Sequence, residues 1–171
     1  HEPFYVQPEY KALFPDGYHG PLLDWPDYRP VNGTDSPELI DHVRREYAAL
    51  IAMCDRNLGR VLDAMDRYDL WKDTLLIVNT DHGFLLGEHG QWAKCHCPFY
   101  EEVSHTPLFL WDPRCALDGQ RRKALVQTVD LPATLLEFFG QPLPEDMEGR
   151  PLGRTAAEDA PVRETALFGL Y

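Results

Sequence analysis

The sequence predicts an α/β protein built on a mostly parallel sheet flanked by helices. Three observations carry this reading. Apolar residues recur every three or four positions from Leu39 to Met65, the spacing of a long amphipathic helix. The apolar run Leu75-Leu76-Ile77-Val78 follows it and reads as a buried strand. A second apolar run, Pro107-Leu108-Phe109-Leu110-Trp111, precedes another helical stretch. Helix feeding strand is the order of αβ units, whose strands lie parallel.

Each element has its own signals. Residues 1–34 are rich in Pro, Tyr and Asp, with Pro3, Pro8, Pro15, Pro21, Pro26 and Pro30. Proline fixes φ and removes a donor, so this stretch predicts extended loop rather than helix. Its aromatics argue against disorder. Asp35 or Ser36 can cap the long helix, and Pro37 suits its first turn. The apolar stripe runs Leu39, Ile40, Val43, Tyr47, Leu50, Ile51, Cys54, Leu58, Val61, Leu62 and Met65, which makes Cys54 a small core residue. Arg44, Arg45, Asp55, Arg56 and Asp66 fall toward solvent. Asp69-Leu70-Trp71-Lys72-Asp73 is a turn, and Thr74 to Asn79 is a strand. Asp112-Pro113-Arg114 ends the second strand, and residues 114–123 form a charged loop. The next helix spans about Leu131 to Phe139, with Asp130 as cap, Pro132 in the first turn and Gly140 at its end. Residues 141–165 read as surface loop, and Thr165 to Gly169 as a terminal edge strand.

Composition narrows the function classes. A chain of 171 residues is long enough for one domain with a real core, so residues 1–171 read as a single domain. The formal charge of -12 and the absence of a basic stripe exclude a nucleic-acid surface. No apolar run approaches the roughly 20 residues of a membrane helix. The first residue is His1, and Glu2-Pro3-Phe4-Tyr5 lacks the basic start and apolar stretch of a signal peptide. The expectation is a piece of a longer polypeptide, with removal of a leader as the alternative. Cys54, Cys95, Cys97 and Cys115 are too few for a disulfide framework, a lean toward a reducing compartment such as a bacterial cytoplasm. Cys95-His96-Cys97 has no second Cys/His pair at zinc-finger spacing.

The stretch that carries chemistry is Thr80-Asp81-His82-Gly83-Phe84-Leu85-Leu86-Gly87-Glu88-His89-Gly90-Gln91-Trp92-Ala93-Lys94. Ligands of open α/β sheets bind beyond the carboxyl ends of strands, where Asp81 falls. Asp81 offers a hard carboxylate oxygen and His82 an imidazole nitrogen. Two adjacent ligands cannot fill a coordination shell, so others must come from elsewhere. Gly83, Gly87 and Gly90 let the chain turn sharply. Lys94 supplies a cation for an anionic substrate, which the acidic chain as a whole does not attract. The plain alternative is a strand followed by a polar turn. Glu88 and His89 orient the loop, contact the groups around the metal ligands or serve a plain structural role, and Trp92 reads as packing rather than substrate stacking.

In this order the motifs resemble the sulfatases of the alkaline phosphatase superfamily. Tyr47-Ala48-Ala49-Leu50-Ile51 through Asp55-Arg56-Asn57-Leu58-Gly59-Arg60-Val61-Leu62 is similar to the helix before the sulfatase metal strand. Leu70-Trp71-Lys72-Asp73-Thr74-Leu75-Leu76-Ile77 resembles the entry into that strand, and Thr80-Asp81-His82-Gly83 its metal motif. Gly87-Glu88-His89-Gly90-Gln91-Trp92-Ala93-Lys94 is similar to iduronate-type and related bacterial sulfatases. Phe99-Tyr100-Glu101-Glu102 to His105-Thr106-Pro107-Leu108, Val129-Asp130-Leu131-Pro132-Ala133-Thr134-Leu135-Leu136 and His1-Glu2-Pro3-Phe4 continue the likeness, which covers most of residues 1–140.

The resemblance implies part of an alkaline-phosphatase-like sandwich and a hydrolase of sulfate esters, with a sulfated small molecule or glycan as substrate. It implies Asp81 and His82 as ligands of a divalent cation, usually Ca²⁺, with Mg²⁺ or Mn²⁺ as alternatives. Lys94 would bind the transferring sulfate, and His1 would face it as donor or proton shuttle. The family's nucleophile, Cys or Ser in Cys/Ser-x-Pro-x-Arg converted to formylglycine, has no match here, and no Asp-Asp pair occurs. The expectation is therefore the C-terminal part of a sulfatase whose N-terminal part is its necessary partner, inactive and weakly metal-binding alone. Two other readings stay open: a phosphodiesterase or phosphonate hydrolase of the same superfamily, and a non-catalytic structural or binding module. Lys94 favours sulfate over the first of these.

Overall fold

Ser36, not Asp35, starts the helix that organises the first half of the chain: its Oγ accepts the Leu39 N–H at 3.2 Å. The computed structural model describes residues 4–21, 25–115 and 119–169. The elements in chain order are α1 (Pro8–Lys11), α2 (Pro37–Arg67), β1 (Leu76–Asn79), β2 (Leu85–Leu86), β3 (Trp92–Ala93), α3 (Glu101–Ser104), β4 (Leu108–Trp111), α4 (Asp130–Phe138) and α5 (Gly153–Glu158). They gather into two units. One holds the residues up to Tyr68 and His82–His105; the other holds Asp69–Asp81 and Thr106–Gly169.

In the first unit, α1 interrupts the expected loop. Pro8 at its first position pre-sets the helical φ, where its missing N–H costs nothing. Helix α2 runs 31 residues with Pro37 in its first turn, as its spacing predicts. Val43 and Leu50 from α2 pack with Phe4, Leu86 and Trp92 to form the core of this unit. Cys54 departs from its expected place and is exposed, as are Ile51 and Val61. A helix of this length spans roughly 45 Å, more than the short β2–β3 ribbon packed on it can cover. β2 and β3 pair antiparallel, Leu85 with Ala93 and Leu86 with Trp92.

Asp35 turns inward instead of capping. Its carboxylate takes Arg29 Nη1 at 2.6 Å and Nη2 at 2.8 Å, the Asn32 N–H at 2.9 Å and the Trp92 Nε1–H at 3.1 Å. The Arg29 hydrogen bonds, joined by the Asn32 and Trp92 donors and opposed by burial, hold this carboxyl well below the usual carboxylate range. A depressed folded pKa contributes stability that is present above the unfolded value, about 3.9, and is lost as pH falls from there toward the depressed folded value. Asp35→Asn should therefore flatten the acid limb of the stability curve. Melting of the intact protein between roughly pH 7 and pH 3 checks this; parallel acid limbs for parent and variant refute it.

The second unit holds the pair β1–β4, with Leu76 opposite Trp111, Ile77 opposite Leu110, Val78 opposite Phe109 and Asn79 opposite Leu108. The pair runs antiparallel, where the order of elements predicts parallel neighbours. A parallel pair needs a crossover of a dozen or more residues, usually a helix. The connection from β1 to β4 carries the β2–β3 ribbon with a 3-10 turn at Glu88–Gly90 and the four-residue α3, with no long crossover helix. Trp71 and Trp111 meet edge to face at 5.3 Å, and Trp111 Nε1–H donates to the Trp71 carbonyl at 3.0 Å.

Helix α4 starts where expected, but Asp130 does not cap it; the N-cap is Val129, without a side-chain bond. The fully buried Asp130 carboxylate instead accepts the Gln127 N–H at 2.8 Å and the Arg150 N–H at 2.9 Å, and pairs with Arg163. Thr134 Oγ1 donates to the Asp130 carbonyl at 2.7 Å and accepts the Leu152 N–H at 3.1 Å, which fixes the approach to α5. Helix α5 lies inside the stretch expected to be loop. The expected edge strand at Thr165 to Gly169 is absent: the Leu167 carbonyl accepts from Gln127 Nε2 at 2.9 Å, a side-chain partner in place of a ladder. Among the described residues no helix is long and apolar enough to cross a membrane.

Candidate active site

The backbone brings His82 and Lys94 together. Gly83, next to His82, donates its N–H to the Val103 carbonyl at 2.8 Å, which ties the segment to α3. The contact is so close that a Cβ on Gly83 would lie 1.6 Å from the Glu102 carbonyl oxygen. Gly83→Ala should therefore cost about 1–3 kcal/mol by overpacking. Denaturant unfolding of the intact protein reads this, and an unchanged midpoint counts against the clamp.

The Gly83 carbonyl lies 2.9 Å from His82 Nδ1. A carbonyl only accepts, so Nδ1 carries the proton and Nε2 keeps its lone pair. Nε2 faces the Lys94 ammonium, which donates to it. Both side chains are half-buried.

Lys94 is held by an unusual stretch of backbone. Ala93 at φ 65° and Cys95 at φ 72° flank it in the left-handed region, and His89 lies there too at φ 55°. Such conformations cost roughly 1–2 kcal/mol per residue and persist where packing over-determines them. Here Trp92 and Ala93 are fully buried. Strain of this kind gathers at functional sites. Gly87 makes the turn after β2 at φ 92°, a conformation that suits glycine, against Ile40 of α2.

The remaining polar residues of the loop secure it. Glu88 takes Arg44 Nη2 at 2.9 Å. His89 stacks on Tyr100 with centroids 3.8 Å apart, and its Nε2 meets Glu102 at 3.1 Å. Of the roles the sequence leaves open for Glu88 and His89, this geometry supports orienting the loop. Trp92 is packing, as expected. Cys97 is a buried core residue against Leu85 and Val103, and burial pushes its thiol pKa up.

Asp81 is exposed, with its Oδ1 3.4 Å from the Thr80 hydroxyl. Asp81 ends one segment of the second unit and His82 opens a segment of the first. Among the described residues no group of three or more His, Cys, Asp or Glu could hold a metal ion. A carboxylate and an imidazole are each donor types that divalent cations accept. The Gly83 carbonyl orients His82 as metal-binding histidines are oriented, but Nε2 accepts from Lys94, so the imidazole takes a cation only once Lys94 has left that nitrogen. His1 lies outside the described residues.

Sequence reasoning missed the aromatic side of the site. Lys94 Nζ lies 6.0 Å from the centroid of the Tyr28 ring. Tyr28 meets Trp25 edge-on at 5.7 Å and Phe84 at 6.4 Å. The available signal was the density of aromatics in the proline-rich start of the chain, which predicts order but no partner.

Comparison with known proteins bears on the same stretch. The family model described as Sulfatase matches residues 1–141. N-acetylglucosamine-6-O-sulfatase of Bacteroides thetaiotaomicron is 33% identical over 134 residues, 74% of this chain and 23% of the relative. A solved structure, BT4656 in complex with its substrate D-glucosamine-2-N,6-O-disulfate, superposes with a TM-score of 0.66 at 28% identity, covering 74% of this chain and 25% of that one. Phosphonate monoester hydrolase of Agrobacterium radiobacter superposes with a TM-score of 0.67 at 26% identity, over 74% and 25% of the two chains. The chain thus spans about a quarter of the length of these relatives.

Proposed function

Because the chain belongs to the sulfatase family, we propose that it carries the metal-binding and cationic part of a site that hydrolyses sulfate esters of carbohydrates. The supporting observation is the convergence of Lys94 on His82, with the imidazole tautomer set by the Gly83 carbonyl. Residues 1–171 act in this reading as one piece of an alkaline-phosphatase-like catalytic domain with a mostly parallel sheet. The formylglycine nucleophile and the other metal ligands come from parts of the protein beyond these residues. Without them, residues 1–171 are inactive and bind metal weakly.

Asp81 and His82 hold the divalent cation, Ca²⁺ by preference, which supplies a fixed positive charge for the sulfate oxygens. Lys94 binds the sulfate group and stabilises the charge that grows on its oxygens during transfer. His1 donates a proton to the departing alkoxide. A sugar carrying a 6-sulfate is the substrate class that the N-acetylglucosamine-6-O-sulfatase relative suggests.

A second reading, phosphonate or phosphodiester hydrolysis, is favoured by the phosphonate monoester hydrolase likeness. Glucosamine 6-sulfate and phenyl phosphonate offered to the intact protein, with and without Ca²⁺, separate the two. Metal-dependent release of sulfate in excess of phosphonate turnover is the expected result; the reverse preference overturns it. Loss of both activities, with no Ca²⁺-dependent rise in melting temperature, leaves the non-catalytic module.

A further inference from the structure

Helix α3 grips the candidate site at two points. Its backbone holds the His82 side, where the Val103 carbonyl takes the Gly83 N–H at 2.8 Å. Its Glu102 side chain holds the Lys94 side: both carboxylate oxygens meet His89 Nε2, each at 3.1 Å. A carboxylate only accepts, so Nε2 carries the proton. The His89 ring lies flat on Tyr100, the residue before α3, at 3.8 Å with an interplanar angle of 7°. Tyr100 in turn packs on the buried cluster of Leu85, Cys97 and Val103, so the His89 ring rests on an anchored support. His89 stands in a turn closed by two main-chain bonds. Gly87 N–H donates to the Gln91 carbonyl at 3.0 Å, and Gln91 N–H to the Glu88 carbonyl at 2.9 Å. Strand β3 follows that turn directly and leads into Lys94, five residues after His89.

We propose that Glu102, acting through His89, is a positioning residue that sets where the Lys94 ammonium stands for the sulfate group. This rests on the sulfatase reading above. His82 and Lys94 come from two segments of the loop, and both must address one small anion. Helix α3 is bonded to each segment, by main chain to the first and by a side chain to the second, so it fixes their spacing. Such spacing matters to rate, since a misplacement of about 1 Å can cost up to about a hundredfold. The His89–Glu102 pair is partly exposed, 39% and 41%, where an ion pair contributes little to stability. Its removal is therefore felt in the aim of Lys94 and not in the fold. A misaimed ammonium withdraws stabilisation from charge that grows only in the transition state, so the loss falls on kcat.

The test is steady-state kinetics of the intact protein on glucosamine 6-sulfate with Ca²⁺, read beside the melting temperature. Glu102→Ala should lower kcat about five- to tenfold, with KM within about twofold. The melting temperature should barely move. Glu102→Gln should recover most of the loss, because an amide oxygen still accepts from His89. In a Lys94→Ala background, Glu102→Ala should cost nothing further, because the residue acts only by aiming that ammonium. An unchanged kcat in Glu102→Ala overturns the assignment and leaves an ordinary surface pair. The same fold-loss in both backgrounds also overturns it, and marks a general structural role. If Glu102→Ala unfolds, His89→Asn keeps the test decisive: asparagine suits the left-handed backbone and breaks the pair from the other side. A parent protein that turns over no sulfate ester overturns the sulfatase reading and the positioning role with it. A parent that turns over the sugar, with variants unchanged, strikes Glu102 alone.

Discussion

Lys94→Ala in the intact protein is expected to lower kcat/KM for sulfate-ester hydrolysis by about 10²–10³, the loss found when one preorganised donor to a developing oxyanion is removed. The structure gives three reasons for an effect of this size. The ammonium is aimed by backbone, since the residues on either side of it hold left-handed conformations. It is half-buried, where a charge acts more strongly than in water. It also lies within reach of His82, the residue proposed to hold the cation beside the sulfate. Lys94→Arg should not restore activity, because a planar fork cannot replace a point charge at a site this tightly set. The loss should fall mainly on kcat, with the melting temperature held. A fall of less than tenfold in Lys94→Ala would remove this residue from the mechanism.

Asp130→Ala is the expected largest loss of stability, about 3–5 kcal/mol, the cost of breaking a buried ion pair from one side. Asp130 is fully buried and Arg163 partly so, with side-chain exposures of 0% and 17%. Removal of the carboxylate strands two backbone N–H donors, Gln127 and Arg150, along with the guanidinium. Arg163 Nε already has no hydrogen-bond partner among the described residues. Denaturant unfolding of the intact protein reads this loss as a lowered midpoint. Asp130→Ala combined with Arg163→Ala should cost less than the sum of the two single changes, because each removes the other's partner. Strict additivity would show that the pair does not act as a unit.

Much of this architecture was legible in the sequence where a local signal and its tertiary role agree. Ser36-Pro37 starts α2, and the three-and-four spacing sets its buried face at Val43 and Leu50. The apolar runs around Ile77 and Phe109 become β1 and β4. The Asp81-to-Lys94 string marks the loop whose left-handed residues and ribbon bring Lys94 to His82. What was not legible depends on partners far along the chain. Strand direction follows from what the connection contains, which periodicity within a strand does not encode. Cys54 shares the apolar stripe, but coverage depends on the length of the ribbon beneath it. Asp35 and Asp130 both look like caps, since each precedes a helix; their arginines at Arg29 and Arg163 turn them into buried hubs instead. Tyr28 reaches Lys94 across 66 positions of sequence, beyond any local pattern.

The orientation of His82 has one more consequence. One of its ring nitrogens, Nδ1, is held by main chain: the Val103 carbonyl fixes the Gly83 N–H, and the Gly83 carbonyl fixes His82 Nδ1. No side chain takes part in either link. Drift among neighbouring side chains can therefore remodel the rim of the site while the main-chain hold on Nδ1 is kept. Mutational robustness of the donor and evolvability of its surroundings are separated at a single glycine.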